Sequence, residues 1–280
     1  MERSRFISTT AVSPCACPNG QALTDPSPVV TAAHARHTLS MDFKGKTALI
    51  TGASRGLGFA VADLLARAGT NLVIAAREPE PLEGVRALLA ERTVVVAVAA
   101  DVSEDAEGIV EAGMRRFGAI DILIHNASEL GPSPMPALSD LAWQDLERIL
   151  RVNVTAPLHL TQLVLPGMIA RRSGTIVAIS SDAGVNAYPG WGGYGASKAA
   201  LEHLTRTFAA ELGDDSGIRV LIIDPGDMDT HLHRLAEPGV DLSALAKPEW
   251  VAPAIVGLIG DDGVRGGRFE AQALLAQASR

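Results

Sequence analysis

Cysteine is almost missing from this chain. Cys15 and Cys17 are the pair, both close to the N-terminus, and the remainder has none. No disulfide framework can form over the rest of the sequence, which suits a reducing compartment, and a cytoplasmic location is the expectation. The Cys15-x-Cys17 spacing suggests a metal or redox pair. No cluster of further ligands stands near it, so two incidental thiols are the plainer reading and no metal is expected. Aromatic residues are scarce, at 4%, so the core must be built from Ala, Val, Leu and Ile. Positive charge is in deficit, with 24 Lys and Arg against 32 Asp and Glu and a formal net charge of −8. That argues against nucleic acid as a partner, because a phosphate backbone selects a basic face. No apolar run approaches the length needed to cross a bilayer, so no membrane span is expected. What remains is an ordinary globular mixture, 47% hydrophobic and 20% charged, in 280 residues. It is enough for a sizeable core.

Met1 to Ser40 differ in texture from the rest of the chain. Pro14, Pro18, Pro26 and Pro28 are scattered among many Ser and Thr, without helical or strand periodicity. Such a segment is expected to be disordered. Arg3 and Arg5 precede no apolar run long enough for a secretory signal. The Ser/Thr-rich, acid-poor character resembles a transit peptide, but Arg content is low and amphipathicity is absent. A second reading makes Met41 the natural start. The expected organisation is a disordered extension over residues 1–40 and one folded domain over 41–280.

From Thr47 onward, short apolar runs alternate with longer amphipathic ones. Strands are expected at 47–51, 71–75, 93–98, 121–125, 174–180, 219–223 and 268–270. Helices are expected at 56–68, 81–90, 104–117, 141–170, 195–212 and 248–259. The strands read as continuous apolar runs, for example Val94-Val95-Val96-Ala97-Val98, the pattern of strands covered on both faces of a parallel sheet. Alternating strand and helix implies right-handed crossovers and a doubly wound, Rossmann-like α/β fold.

The first strand runs into Thr51-Gly52-Ala53-Ser54-Arg55-Gly56-Leu57-Gly58. Three glycines at a strand-to-helix junction allow a tight turn and a close backbone approach, and the free N–H groups of the helix suit a pyrophosphate. The second strand ends Ala75-Ala76-Arg77, where this fold reads the adenosine ribose. A basic residue there accommodates a 2′-phosphate, and Arg55 stands nearby in the turn. NADP(H) is therefore favoured, with NAD(H) as the alternative because Glu78 comes directly after. Asp101 closes the third strand and can face an adenine amino group or cap the next helix, a role for which Ser103 competes. His125, at the end of the fourth strand, is read as structural. His231-x-His233 lacks a third ligand, and the surrounding segment 227–247 reads as a substrate lid instead.

Tyr194 and Lys198 stand at i and i+4, on one face of a helix. An ammonium beside a phenol favours the phenolate and lowers its pKa, making tyrosine a usable proton donor and acceptor. Such a pair is common; the other motifs decide its meaning. Thr51-Gly52-x-x-x-Gly56-x-Gly58, Asp101, Asn126-Ala127, Asn153, Ser181, Tyr194-x-x-x-Lys198 and Pro225-Gly226 with Thr230 stand in the order and spacing of one family. The chain resembles the short-chain dehydrogenases/reductases, single-domain branch, from Phe43 to about Phe269.

That resemblance implies an oxidoreductase for a carbonyl/alcohol pair. It implies a cofactor lying along Gly52, Ser54, Arg55, Gly56, Leu57, Gly58, Arg77, Asp101, Val102, Asn126 and Ala127. Pro225, Gly226, Met228 and Thr230 would hold the carboxamide end. Tyr194 would be the general acid/base, Lys198 the ribose holder, Ser181 the partner of the substrate oxygen, and Asn153 the anchor of a water relay. It implies a homodimer or homotetramer through helices 141–170 and 195–212. Two departures stand out: His125-Asn126-Ala127-Ser128 replaces the usual Asn-Asn-Ala-Gly, and Asp227 comes after Pro225-Gly226. Substrate walls are expected from 128–137, 182–193 and 227–247. Tyr188, Trp191, Met228 and Leu232 would offer apolar surface to a small or medium substrate. An NAD-dependent alcohol dehydrogenase is the nearest alternative, and a non-catalytic nucleotide sensor the more distant one.

Overall fold

A computed structural model of the chain describes residues 43–278. The expectations for Cys15, Cys17, the 1–40 extension and Met41 lie outside the described residues. Alternating strands and helices run β1 (Thr47–Thr51), α1 (Gly56–Arg67), β2 (Asn71–Ala76), α2 (Pro79–Ala90), β3 (Val95–Ala99), α3 (Ala106–Phe117) and β4 (Ile122–His125). They continue as α4 (Trp143–Leu150), α5 (Ala156–Arg171), β5 (Gly174–Ile179), α6 (Gly192–Leu212), β6 (Ile218–Asp224), α7 (His231–Ala236), α8 (Pro248–Gly260), β7 (Gly266–Glu270) and α9 (Ala271–Ala278). The sheet has seven strands in the order β3-β2-β1-β4-β5-β6-β7, and every pairing is parallel. This is the doubly wound arrangement the alternation predicts.

The period-2 geometry of the strands divides the core in two. Ala48 and Ile50 of β1 pack on one face with Val61 and Leu65 of α1 and Val251 and Ile255 of α8. Leu49, between them, packs on the other with Ile109 of α3 and Leu160 and Val164 of α5. The exception is β3. Its apolar run, expected to be covered on both faces, is only partly buried, and Val94 before it is exposed. The order of strands gives the reason: β3 is the sheet's edge and has one neighbour.

Two other expectations change. The helix after β4 is interrupted by a π-turn at Arg151–Thr155. Pro157 has no N–H to offer the carbonyl of Asn153 four residues back, so the α-helical ladder loses a bond where the helix widens. The segment after β6 is also not a plain loop, because it carries α7. No helix among the described residues is long and apolar enough to cross a membrane.

Arg219 of β6 braces the far end of the sheet. Its guanidinium donates to the Asp261 carbonyl at 2.8 Å, to Thr175 Oγ1 at 2.9 Å and to the Ile259 carbonyl. It thus satisfies carbonyls left open where α8 ends. Arg219→Met would strand those acceptors and should cost about 3 kcal/mol. The expected result is a Tm lower by roughly 6–12 °C in a thermal melt; an unchanged melt would show that the brace contributes nothing.

Candidate active site

Between β1 and β4 the chain order reverses, and at such a switch point the carboxyl ends of the strands open a crevice. A cleft of about 360 Å³ lies there. It runs from Arg77 and Glu78 after β2, across the glycine turn, to Tyr194 and Lys198 on α6.

The turn is held from behind. Thr51 Oγ1 accepts from the main-chain nitrogens of Asn126 and Ala127 at 3.1 and 3.0 Å. The Asn126 amide donates to the carbonyls of Thr51 and Gly52 at 2.9 and 3.0 Å. Gly52 and Gly56 adopt φ of +65° and +57°, in the left-handed region that favours glycine. A Cβ on Gly52 would sit 2.8 Å from Ala127 Cα. Arg55 stands at the N-cap of α1 with no side-chain cap bond, and no acidic residue occupies the first turn. The N–H groups of this helix therefore face the cleft with their positive dipole end uncompensated. An elongated cleft, with a helix N-terminus at its middle and polar groups at both ends, fits a dinucleotide.

At the outer end the two arginines already have partners. Arg55 pairs with Glu78 at 2.6 Å and Arg77 with Glu129 at 3.3 Å. Asp101 Oδ1 accepts from Ser103 N and Oγ at 2.9 and 2.7 Å. Neither residue caps the next helix. That role belongs to Asp105, which accepts from Gly108 N.

At the inner end, Tyr194 is buried in a small cluster with Leu130, Ala183 and Ala236, packed against Trp191 and Leu232. The Trp191 ring meets Tyr194 edge-on, 5.8 Å between centroids. Lys198 Nζ lies 5.5 Å from the Tyr194 ring centroid and donates to the Ile179 carbonyl at 2.8 Å. The pKa of Tyr194 is pushed up to about 12, first by burial and further by Asp224 and Asp182, while the Ser128 and Ser181 hydroxyls pull it back. The lowered phenol expected from the Tyr/Lys pair is thus not what the chain's own atoms produce, because loss of solvent outweighs the neighbours. Burial also lowers Lys198 to about 8, against the opposing pull of Asp224 and Glu202.

Gly52, Ser54, Arg55, Gly56, Leu57, Arg77, Asp101, Val102, Asn126 and Ala127 all line the cleft. So do Ser181, Tyr194, Lys198, Pro225, Gly226, Met228 and Thr230. Gly58 and Asn153 do not. Gly58 packs behind the turn, where a Cβ would meet Asn126 Nδ2 at 2.5 Å. Asn153 is fully buried. Its amide donates to the Glu129 carbonyl and Ser197 Oγ, both at 2.8 Å, and accepts from Glu129 N at 2.7 Å. It clamps the loop after β4 to α6.

Ser181 has two tasks, since its Oγ also accepts from Ala183 N and caps the short 3-10 turn Asp182–Gly184. Of the expected apolar wall, Trp191, Met228 and Leu232 line the cleft, whereas Tyr188 is exposed and donates its hydroxyl to Asp182 at 2.7 Å. His125 is buried with its Nε2 2.9 Å from Thr161 Oγ1, and burial drops its pKa to about 3. His233 Nε2 lies 3.3 Å from Glu237 Oε2, and no group of three or more metal-ligating side chains gathers among the described residues.

Two groups at this end take roles that the sequence does not announce. Ser128, expected in a substrate wall and as a departure from the family pattern, also acts on the phenol. Gln272 of α9 donates to the carbonyls of Pro225 and Asp227 at 3.1 and 2.7 Å, pinning that loop. No local pattern marks it.

A family model described as short chain dehydrogenase matches residues 46–240. An uncharacterized oxidoreductase of Listeria monocytogenes is 38% identical over 196 residues, 69% of this chain and 78% of its own length. An uncharacterized NAD-dependent oxidoreductase of Mycobacterium tuberculosis is 38% identical over 220 residues, 72% of this chain and 78% of its own. A solved short chain dehydrogenase from Shigella flexneri 2a, complexed with NADP, superposes with a TM-score of 0.75. It is 29% identical and covers 83% of this chain and 99% of its own. A parallel sheet opening at its switch point onto a glycine turn, and a family match over most of the described chain, lead to one conclusion: the protein belongs to the short-chain dehydrogenase family and is an NAD(P)-dependent oxidoreductase.

Proposed function

We propose that the protein reduces a small or medium, apolar carbonyl compound with NADP(H), or oxidises the corresponding alcohol, using Tyr194 as general acid/base. The observation carrying this reading is that Tyr194, Lys198 and Ser181 line the inner end of the same cleft whose middle is the glycine turn. When bound, the nicotinamide supplies or accepts the hydride. Tyr194 holds its proton at neutral pH and gives it to the carbonyl oxygen in reduction; in oxidation it takes the alcohol's proton. Ser181 donates to the same oxygen and stabilises charge developing there. Lys198, charged at neutral pH, would hold the nicotinamide ribose and supplies positive charge beside the phenol. Asn153, whose carbonyl lacks the usual i+4 donor because residue 157 is proline, anchors the relay by which a solvent proton reaches Lys198 as Lys198 passes its own on to the Tyr194 phenolate left by reduction. Leu130, Trp191, Leu232 and Ala236 around the phenol favour an apolar substrate.

Arg55 and Arg77 at the outer end favour the 2′-phosphate of NADP(H), in keeping with the NADP complex of the Shigella protein. The opposite reading, NAD(H), is favoured by Glu78 beside Arg55 and by the NAD-dependent Mycobacterium relative. Fluorescence titration of Arg77→Ala separates them. Loss of one charge-assisted contact should weaken NADPH roughly tenfold and leave NADH unchanged. Equal affinities for NADPH before and after would remove Arg77 from the reading. We take residues 41–280 as one catalytic domain that assembles as a homodimer or homotetramer. The exposed Trp143 and Ile169 on α4 and α5 suit such contacts, and sedimentation equilibrium tests it.

A further inference from the structure

Behind the Tyr194/Lys198 pair lies a charged group that takes no part in the proposed proton and hydride transfers. Glu202 stands one turn of α6 beyond Lys198, and its side chain is only 2% exposed. Its carboxylate accepts from Ser180 Oγ at 2.6 Å, from Arg206 at 2.9 Å and from Arg268 Nε at 3.0 Å. The same Arg268 guanidinium, from β7, donates through its other arm to Asp224 Oδ2 at 2.9 Å. Asp224 ends β6 and lines the cleft, and its second oxygen accepts from Gly226 N at 2.9 Å. One arginine therefore links the helix bearing the reacting pair to the strand end that launches the Pro225–Gly226 loop. A buried carboxylate is tolerated only when paired and hydrogen-bonded, so the three groups stand or fall together.

We propose that Arg268 is a positioning residue of this site: by joining Glu202 to Asp224 it locks α6 against the loop after β6 and sets the net charge that Lys198 faces. The inference rests on the proposed role of Lys198 but is read without turnover. The charged and titratable groups around Lys198 are Tyr194 and Glu202 on α6, Asp224 on β6 and His125 on β4, which is neutral. Arg268 and Arg206 enter by compensating Glu202, and Arg268 also compensates Asp224. Removing Arg268 leaves Asp224 uncompensated and Glu202 less so near the ammonium, and stabilises its charged form. Neutralising Asp224 does the reverse. A loss of packing alone would not move the titration in opposite directions.

The chain's lysines are Lys44, Lys46, Lys198 and Lys247, few enough to follow individually by NMR of 13Cε-labelled lysine, with Lys198→Met assigning the signal. Lys198 should titrate near pH 8 in the parent protein. In Arg268→Met it should titrate about half a pH unit or more higher, and in Asp224→Asn lower by a similar amount. Arg268→Lys, which keeps the charge, should restore the parent value. If Arg268→Met does not fold, Arg268→Gln, which loses the charge but can still donate to one carboxylate, takes its place beside Asp224→Asn, where asparagine can still accept from Gly226 N. A Lys198 titration unmoved in Asp224→Asn, or moved in the same direction by both variants, overturns the proposal. Should Tyr194→Phe retain turnover while these shifts occur, the charge assignment stands and the proposed reaction falls.

Discussion

Tyr194→Phe should lower turnover by about 10²–10⁴-fold, the usual contribution of a positioned acid/base. The substitution is conservative in every other respect. The ring stays in the cluster of Leu130, Ala183 and Ala236 and keeps its edge-on contact with Trp191. Only the hydroxyl goes, and with it the atom that the Ser128 and Ser181 hydroxyls address. NADPH affinity, measured by fluorescence, should change little, because the glycine turn is untouched. The assay is nicotinamide absorbance across a panel of apolar carbonyls and alcohols with each cofactor. Activity surviving the change largely intact would mean that the proton comes from elsewhere. A parent protein inactive on every substrate while still binding NADPH would instead favour the nucleotide-sensor reading.

The second large effect belongs to the turn. Gly58→Ala should abolish dinucleotide binding and destabilise the fold by roughly 1–3 kcal/mol, the cost of overpacking a rigid site. The new Cβ would press on the Gly52 carbonyl and on the Asn126 amide. Neither can yield cheaply, because that amide is what fastens the Gly52 and Thr51 carbonyls to the end of β4. The control is Gly84→Ala on α2, where a Cβ meets nothing within 4 Å. There alanine should leave binding unchanged and raise stability by up to about 1 kcal/mol, as expected for an exposed helix. Thermal melts and NADPH titrations of both variants measure the contrast. A Gly58→Ala protein that melts and binds like the parent would show that the turn relaxes more easily than its packing implies.

The elements were largely legible because their signals are local. Continuous apolar runs, glycines at one junction and a Tyr/Lys pair one turn apart each depend on neighbours a few residues away. What failed to show depended on the sheet. Val94–Val98 looks like a central strand by composition, yet exposure is decided by position in the sheet, and β3 stands at the edge. Pro157 stands inside a helix expected to run unbroken over 141–170, and the π-turn at Arg151–Thr155 before it depends on how the helix continues past it. Arg268, Glu202 and Asp224 are separated by tens of residues, and nothing in their local context announces that β6, β7 and α6 bring them together.

By itself the sequence determined the alternation of strands and helices, the family, and most of the residues that line the cleft at the switch point. These come from spacing along the chain, which covalent geometry carries directly into a helix face or a turn. The tertiary structure decided the charges and the burial. Tyr194 is held near 12 rather than lowered, Arg55 and Arg77 meet carboxylates, and Asn153 works as a clamp behind the cleft. Desolvation and ion pairing depend on distances through space between residues far apart in sequence, and only folding brings those distances into being.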